Sequence, residues 1–161
     1  MNLRLLLSCA TLAACLAGAA AAQPVPTRST GQTLYLPVYS NIAHGEPEAR
    51  GELPRVLMSV LVSIRNTDPA RALRVMSAAY FDTQGRRVRD HVPQPREVPP
   101  MGTLELFIPR SDDSGGSGAN FVIVWRSDVP MNPPLVEAVH ANLPAGRSIV
   151  FVTTARPIAV D

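Results

Sequence analysis

Two carboxylates, three hydroxyls and three glycines fall between Ser111 and Asn120, directly before the apolar run Phe121 to Trp125. Such a loop could cradle a phosphate, carry a nucleophile or hold a metal. A phosphate cradle of the P-loop kind needs a lysine and a following helix whose amides face the anion. All fifteen basic residues here are arginines, and the alternation after Asn120 is that of a strand. Asp112 and Asp113 would also repel an anion. The amides of Gly115, Gly116 and Gly118 could still form a small anion nest.

Gly115-Gly116-Ser117-Gly118-Ala119 approaches the nucleophile elbow, but an elbow sets its serine between a strand and a helix. A periplasmic hydrolase using Ser117, or a carboxylate pair at a separation that spacing cannot reveal, is therefore the alternative function class. His44, His91 and His140 stand far apart without metal-ligand spacing. Asp112-Asp113-Ser114 lacks the alternating acids of a calcium loop. Met58 and Met76 fall on strand patterns, and Met101 and Met131 in proline-rich joints. No catalytic set, metal set or cofactor motif is complete. A weak metal or anion binder is a third reading. The polar residues that remain as a candidate site are Asp112, Ser114 and Asn120, together with Arg65, Asn66 and Asp68 from a second polar stretch.

The elements that must position them are short strands. In Val56 to Arg65, Met58, Val60, Val62 and Ile64 share one face, the period of a half-buried strand. Asn66-Thr67-Asp68-Pro69 stops it. Leu34 to Tyr39 alternates, and its proline suits an edge strand. Leu73 to Phe81 and Arg86 to Val92 read as a hairpin around Asp82-Thr83-Gln84-Gly85. Thr103 to Ile108, Phe121 to Arg126, Leu135 to Asn142 and Ser148 to Thr154 supply the rest. Helix propensity is fair only in Leu135 to Asn142. The pattern predicts an all-β fold: a single immunoglobulin-like β-sandwich of about seven to eight short antiparallel strands over 33–161, with Trp125 in its core. Residues 23–32, rich in Pro, Ser, Thr and Gly, read as a flexible linker.

Residues 1–22 read as a cleaved signal peptide. Arg4 gives a positive start, Leu5 to Ala14 an apolar core, and Ala20-Ala21-Ala22 a small-residue cleavage site. Leu12-Ala13-Ala14-Cys15 also resembles the lipobox of bacterial lipoproteins, which implies lipidation of Cys15. Ordinary secretion is the preferred reading, because Leu16 to Ala22 would make an apolar tether. Export to the periplasm follows, with anchoring to the envelope through Cys15 as the alternative. Cys9 and Cys15 are the two cysteines, so the mature domain has no disulfide. The net charge is +2, which is no nucleic-acid signature. Arg86-Arg87-Val88-Arg89 reads as a solvated strand face.

The blocks "LYLPVYSNI", "VSIRNTDP", "YFDTQGRRVRD" and "DSGGSGANFVIVW" occur in this order. Together they resemble the bacterial family known as domain of unknown function 3124, from about Gln32 to Pro157. The resemblance implies no catalytic residue, substrate or cofactor. It implies that Tyr35, Tyr39, Arg65, Asn66, Asp68, Asp112, Ser114, Gly115, Gly116, Gly118, Asn120 and Trp125 match motif positions. The leading expectation is a non-enzymatic exported module that binds an envelope protein or a small ligand, not nucleic acid, and meets a membrane only if Cys15 is lipidated.

Overall fold

The computed structural model of the chain describes residues 26–160. The expected signal peptide, Cys15 and the start of the linker lie outside the described residues.

Twelve strands run through the described residues: β1 (Ser29–Pro37), β2 (Asn41–Ala43), β3 (Arg55–Leu57), β4 (Ser59–Arg65), β5 (Leu73–Phe81), β6 (Arg87–Asp90), β7 (Arg96–Val98), β8 (Thr103–Ile108), β9 (Asn120–Met131), β10 (Leu135–Asn142), β11 (Ile149–Thr154) and β12 (Arg156–Ile158). All pair antiparallel. One sheet has the order β12-β1-β9-β5-β6, with β7 also on β5. A second has the order β11-β10-β4-β8, and β2 and β3 form a small ribbon. The all-β expectation holds. The strand count is higher than the pattern suggested because β2, β3, β7 and β12 have three residues each, too few to display an alternation.

Alternation builds the core. Val60, Val62 and Ile64 of β4, Leu106 and Ile108 of β8, and Val136 and Ala138 of β10 are buried in one cluster. The same cluster holds Leu34 and Leu36 of β1, Val75 and Tyr80 of β5, and Phe121, Ile123 and Trp125 of β9. Each large apolar side chain buried this way contributes about 1.5–3 kcal/mol. Trp125 sits fully buried, as its pattern predicted.

Three local expectations need correction. β1 is an interior strand, pairing both β9 and β12. Pro37 is tolerated because it ends β1, beyond the Thr33–Tyr35 stretch that β12 covers. Ser29 to Gln32 belong to β1 rather than to a linker, since their ladder partners on β9 fix them. Met131 lies in no joint: it ends β9 and is buried. The Asp82–Gly85 hairpin is as expected. Asp82 N–H donates to the Arg86 carbonyl at 3.0 Å, and Gly85 takes φ 76°.

Candidate functional site

The residues singled out by sequence form two clusters at opposite ends of β9, not one site. Asn120 begins β9, next to the glycine-rich loop. Asn132, just past the other end, donates its N–H to Asp68 Oδ2 at 3.3 Å. The expected convergence of Asp112, Ser114 and Asn120 with Arg65, Asn66 and Asp68 does not occur, because the length of β9 separates them.

At the Asp68 end the polar groups serve the backbone. The carboxamide nitrogen of Asn66 donates to the carbonyls of Arg71 (2.7 Å), Val98 (3.1 Å) and Pro99 (3.0 Å), and its oxygen accepts from Asp68 N–H at 3.0 Å. Asp68 Oδ1 accepts from the amides of Ala70 and Arg71 at 3.0 and 3.1 Å. Both residues are buried. The Ala70 hydrogen bond, with those of Asn132 and Arg71 and the Arg71 charge, holds the Asp68 carboxyl below its ordinary pKa despite the opposing effect of burial. Buried carboxylates and amides satisfied this completely lock loops together. Arg65 points elsewhere, to the outer face of the four-stranded sheet, where it pairs with Glu137 at 3.9 Å.

At the other end the glycine-rich loop closes over the core. Thr83 N–H and Oγ1 donate to the Gly115 carbonyl at 2.9 and 3.0 Å, and Ser40 N–H donates to the Gly116 carbonyl at 3.0 Å. Gly118 N–H donates to Thr83 Oγ1 at 3.0 Å, and Gly116 N–H to the Asp113 carbonyl at 3.0 Å. The anion nest is therefore corrected: two of its three amides are already spent. Burial would raise the Asp112 pKa, but hydrogen bonds from Ser114 and the Arg89 guanidinium outweigh it and lower it. Asp112 thus ties Ser114 and β6 to the loop. Ser117 lies between strands β8 and β9, not in the strand-to-helix context an elbow requires. Arg86, Arg87 and Arg89 pair with Asp82, Asp90 and Asp112, so the basic cluster is an ion-paired solvated face.

Three features escaped the sequence reading. His140 is fully buried on β10, stacked on Phe151 with centroids 4.4 Å apart, and accepts the Tyr39 N–H at Nε2 (3.1 Å). Its proton then sits on Nδ1, which has no hydrogen-bond partner among the described residues. Burial pushes its pKa down to about 4. The second is a cavity of about 460 Å³ lined by Arg55, Val56, Leu57, Arg110, Ser111 and Asn142.

The third is the outer face of the four-stranded sheet. There Phe107 pairs with Leu61, Leu61 with Val139, and Val139 with Val152. This makes one apolar row across all four strands. Phe107 is 57% exposed and Val152 54%. Val150, beside the row on β11, is 57% exposed. Period-two counting assigned these residues to strands. The row itself is a matter of register, which no local spacing reveals.

The sequence profile of the family described as "Protein of unknown function (DUF3124)" matches residues 31–158. The chain belongs to this family. The match spans both ends of β9 in this DUF3124 chain, so the loop and the Asn66–Asp68 lock are both within it. Among curated proteins, none matches the chain. A solved structure titled "Crystal Structure of Thermotoga maritima 1070" is similar at 13% identity and a TM-score of 0.45, over 78% of this chain and 92% of that one.

Proposed function

We propose that this DUF3124 chain is an exported, non-catalytic module of the bacterial envelope that holds a partner protein on the outer face of its four-stranded sheet. The observation that carries the reading is the apolar row Phe107–Leu61–Val139–Val152. Contiguous exposed apolar surface marks interaction sites on soluble domains. The next row on the same face runs Glu105–Ser63–Glu137–Thr154. Glu137 is met by Arg65, whereas Glu105 has no ion-pair partner among the described residues. The matching partner surface is apolar at its centre with a basic group at its rim.

The N-terminal sequence supports export through its positive start, apolar core and small-residue cleavage site. The non-catalytic reading draws on the polar clusters, where Asn66, Asp68 and Asp112 commit their side chains to the scaffold.

A photo-crosslinking residue placed at Phe107 in expressing cells tests the proposal, with Val88 on the other sheet as control. The expected result is one defined protein adduct in the envelope fraction from Phe107 and none from Val88. Adducts to copies of the same chain, or identical adducts from both positions, overturn it. Mass spectrometry of the mature chain tests export. A start at Gln23 or a lipidated Cys15 supports it, and a chain still beginning at Met1 in the cytoplasm overturns it.

A further inference from the structure

The cavity at the Asn120 end brings two arginines together. Arg55 opens β3 and is fixed by its ladder pairing to Ala43. Arg110 lies just past β8, in a turn closed by the Asp112 N–H to Pro109 carbonyl hydrogen bond at 2.9 Å. Both line the same open depression of about 460 Å³, together with Ser111 and the apolar Val56 and Leu57. Asn142 completes the wall, held by its Nδ2 donating to the Leu57 carbonyl at 2.6 Å.

What distinguishes this pair is that two arginines without a carboxylate partner line one depression. Arg28, Arg50, Arg96, Arg126, Arg147 and Arg156 are also without an ion pair among the described residues, but no two of them line this depression. Arg65, Arg71, Arg74, Arg86, Arg87 and Arg89 each meet a carboxylate. Among the described residues, Arg55 and Arg110 meet none. The nearest acid in sequence to Arg110 with a fixed role, Asp112, is turned to Arg89. The planar forks of two guanidinium groups match carboxylate and phosphate oxygens. Lining one depression without a carboxylate partner, they leave two positive charges for an anion to meet. The volume falls within the range of small-ligand sites.

We infer that Arg55 and Arg110 form a binding site for a small organic acid, whose carboxylate or phosphate group bridges the two guanidinium groups while an apolar portion rests on Val56 and Leu57. The site is separate from the apolar sheet face and does not depend on it. Its anion specificity comes from the arginine pair and not from the glycine amides.

Isothermal titration of the purified chain with phenyl phosphate, benzoate, inorganic phosphate and trimethylammonium tests this. Saturable binding of phenyl phosphate or benzoate is expected, with the better of the two naming the acid group. Inorganic phosphate should bind more weakly for want of the apolar contact, and trimethylammonium not at all. Affinity should fall as salt rises. Arg110→Gln and Arg55→Gln should each weaken binding at least tenfold, and Arg156→Gln should leave it unchanged. Thermal unfolding monitors the fold. Because Arg110 lies outside every strand, Arg110→Gln carries the test if Arg55→Gln disturbs β3. Absence of saturable binding overturns the site. So does binding that survives the double substitution, or that Arg156→Gln weakens equally.

Discussion

The phenol oxygen of Tyr80 lies 2.7 Å from the hydroxyl of Ser40, directly beneath Gly115. This buried pair ties β5 to the connection between β1 and β2, and the glycine-rich loop lies over it. A Cβ on Gly115 would collide with Tyr80 Oη and stand 2.6 Å from Ala119 Cβ. The glycine is a packing requirement. Gly115→Ala should cost about 1–3 kcal/mol, the range for overpacking a fixed interior. Gly85→Ala has open space around the new methyl and only its φ of +76° to strain it, so it should cost about 1 kcal/mol. Urea unfolding of the two variants should show that order. Equal midpoints would refute the account of the loop.

Asn66 makes a sharper case. Its amide nitrogen faces the carbonyls of Arg71, Val98 and Pro99. Asn66→Asp has nearly the same shape but turns a donor into a carboxylate oxygen among three acceptors. It should destabilise by about 3 kcal/mol or more, and by more than Asn66→Ala, because an unpaired buried charge is costlier than an unfilled hydrogen bond. Chemical unfolding near neutral pH measures both.

These two clusters show how far the residues could be read unaided. Asn66, Asp68 and Asp112 stand out in sequence by type and position. Whether such a side chain faces outward or turns back to backbone depends on loops thirty or more positions away, as Val98 and Pro99 do for Asn66. The core strands were legible because burial writes a period of two into Val60, Val62 and Ile64. The pairing of β1 with β9 was not, because register joins distant segments. Arg55 and Arg110 carry no local signal at all. Only the fold makes them neighbours.

His140 sets a pH window. Its folded pKa of about 4 lies below the ordinary 6.5. The unfolded chain therefore takes up a proton that the folded chain refuses. The stability contributed by the neutral, stacked imidazole is fully present above pH 6.5 and is lost progressively as pH falls towards about 4. One pKa unit corresponds to about 1.4 kcal/mol, so the loss approaches roughly 3 kcal/mol at its fullest. His91, lowered by burial and by Arg89, adds loss in the same direction below pH 6.5. Asp68, Asp82 and Asp112 have lowered pKa values, so their contributions disappear only at lower pH, below the ordinary 3.8. Unfolding free energies at pH 7.5, 5.5 and 4.5 should fall for the parent chain. In His140→Phe the slope between pH 6.5 and 4 should be shallower, even though the variant starts lower from losing the acceptor for Tyr39 N–H. Parallel slopes would assign the acid sensitivity elsewhere.

The apolar row on the outer sheet face poses the opposite question, since its outermost members do little for the fold. Phe107 and Val152 remain more than half exposed, so their burial contributes little, and each gains only a cross-strand contact worth about 0.2–1 kcal/mol. Phe107→Thr and Val152→Thr put at each position a β-branched residue that a strand favours, while removing apolar surface. The double variant should lose at most about 1–2 kcal/mol of stability. Loss of surface should show elsewhere: binding of an environment-sensitive apolar dye to the folded chain should drop several-fold, and crosslinking to a partner from Leu61 should vanish. A double variant that unfolds outright would mean that the row belongs to the core after all. One that folds normally yet keeps its partner would move the contact surface off this face.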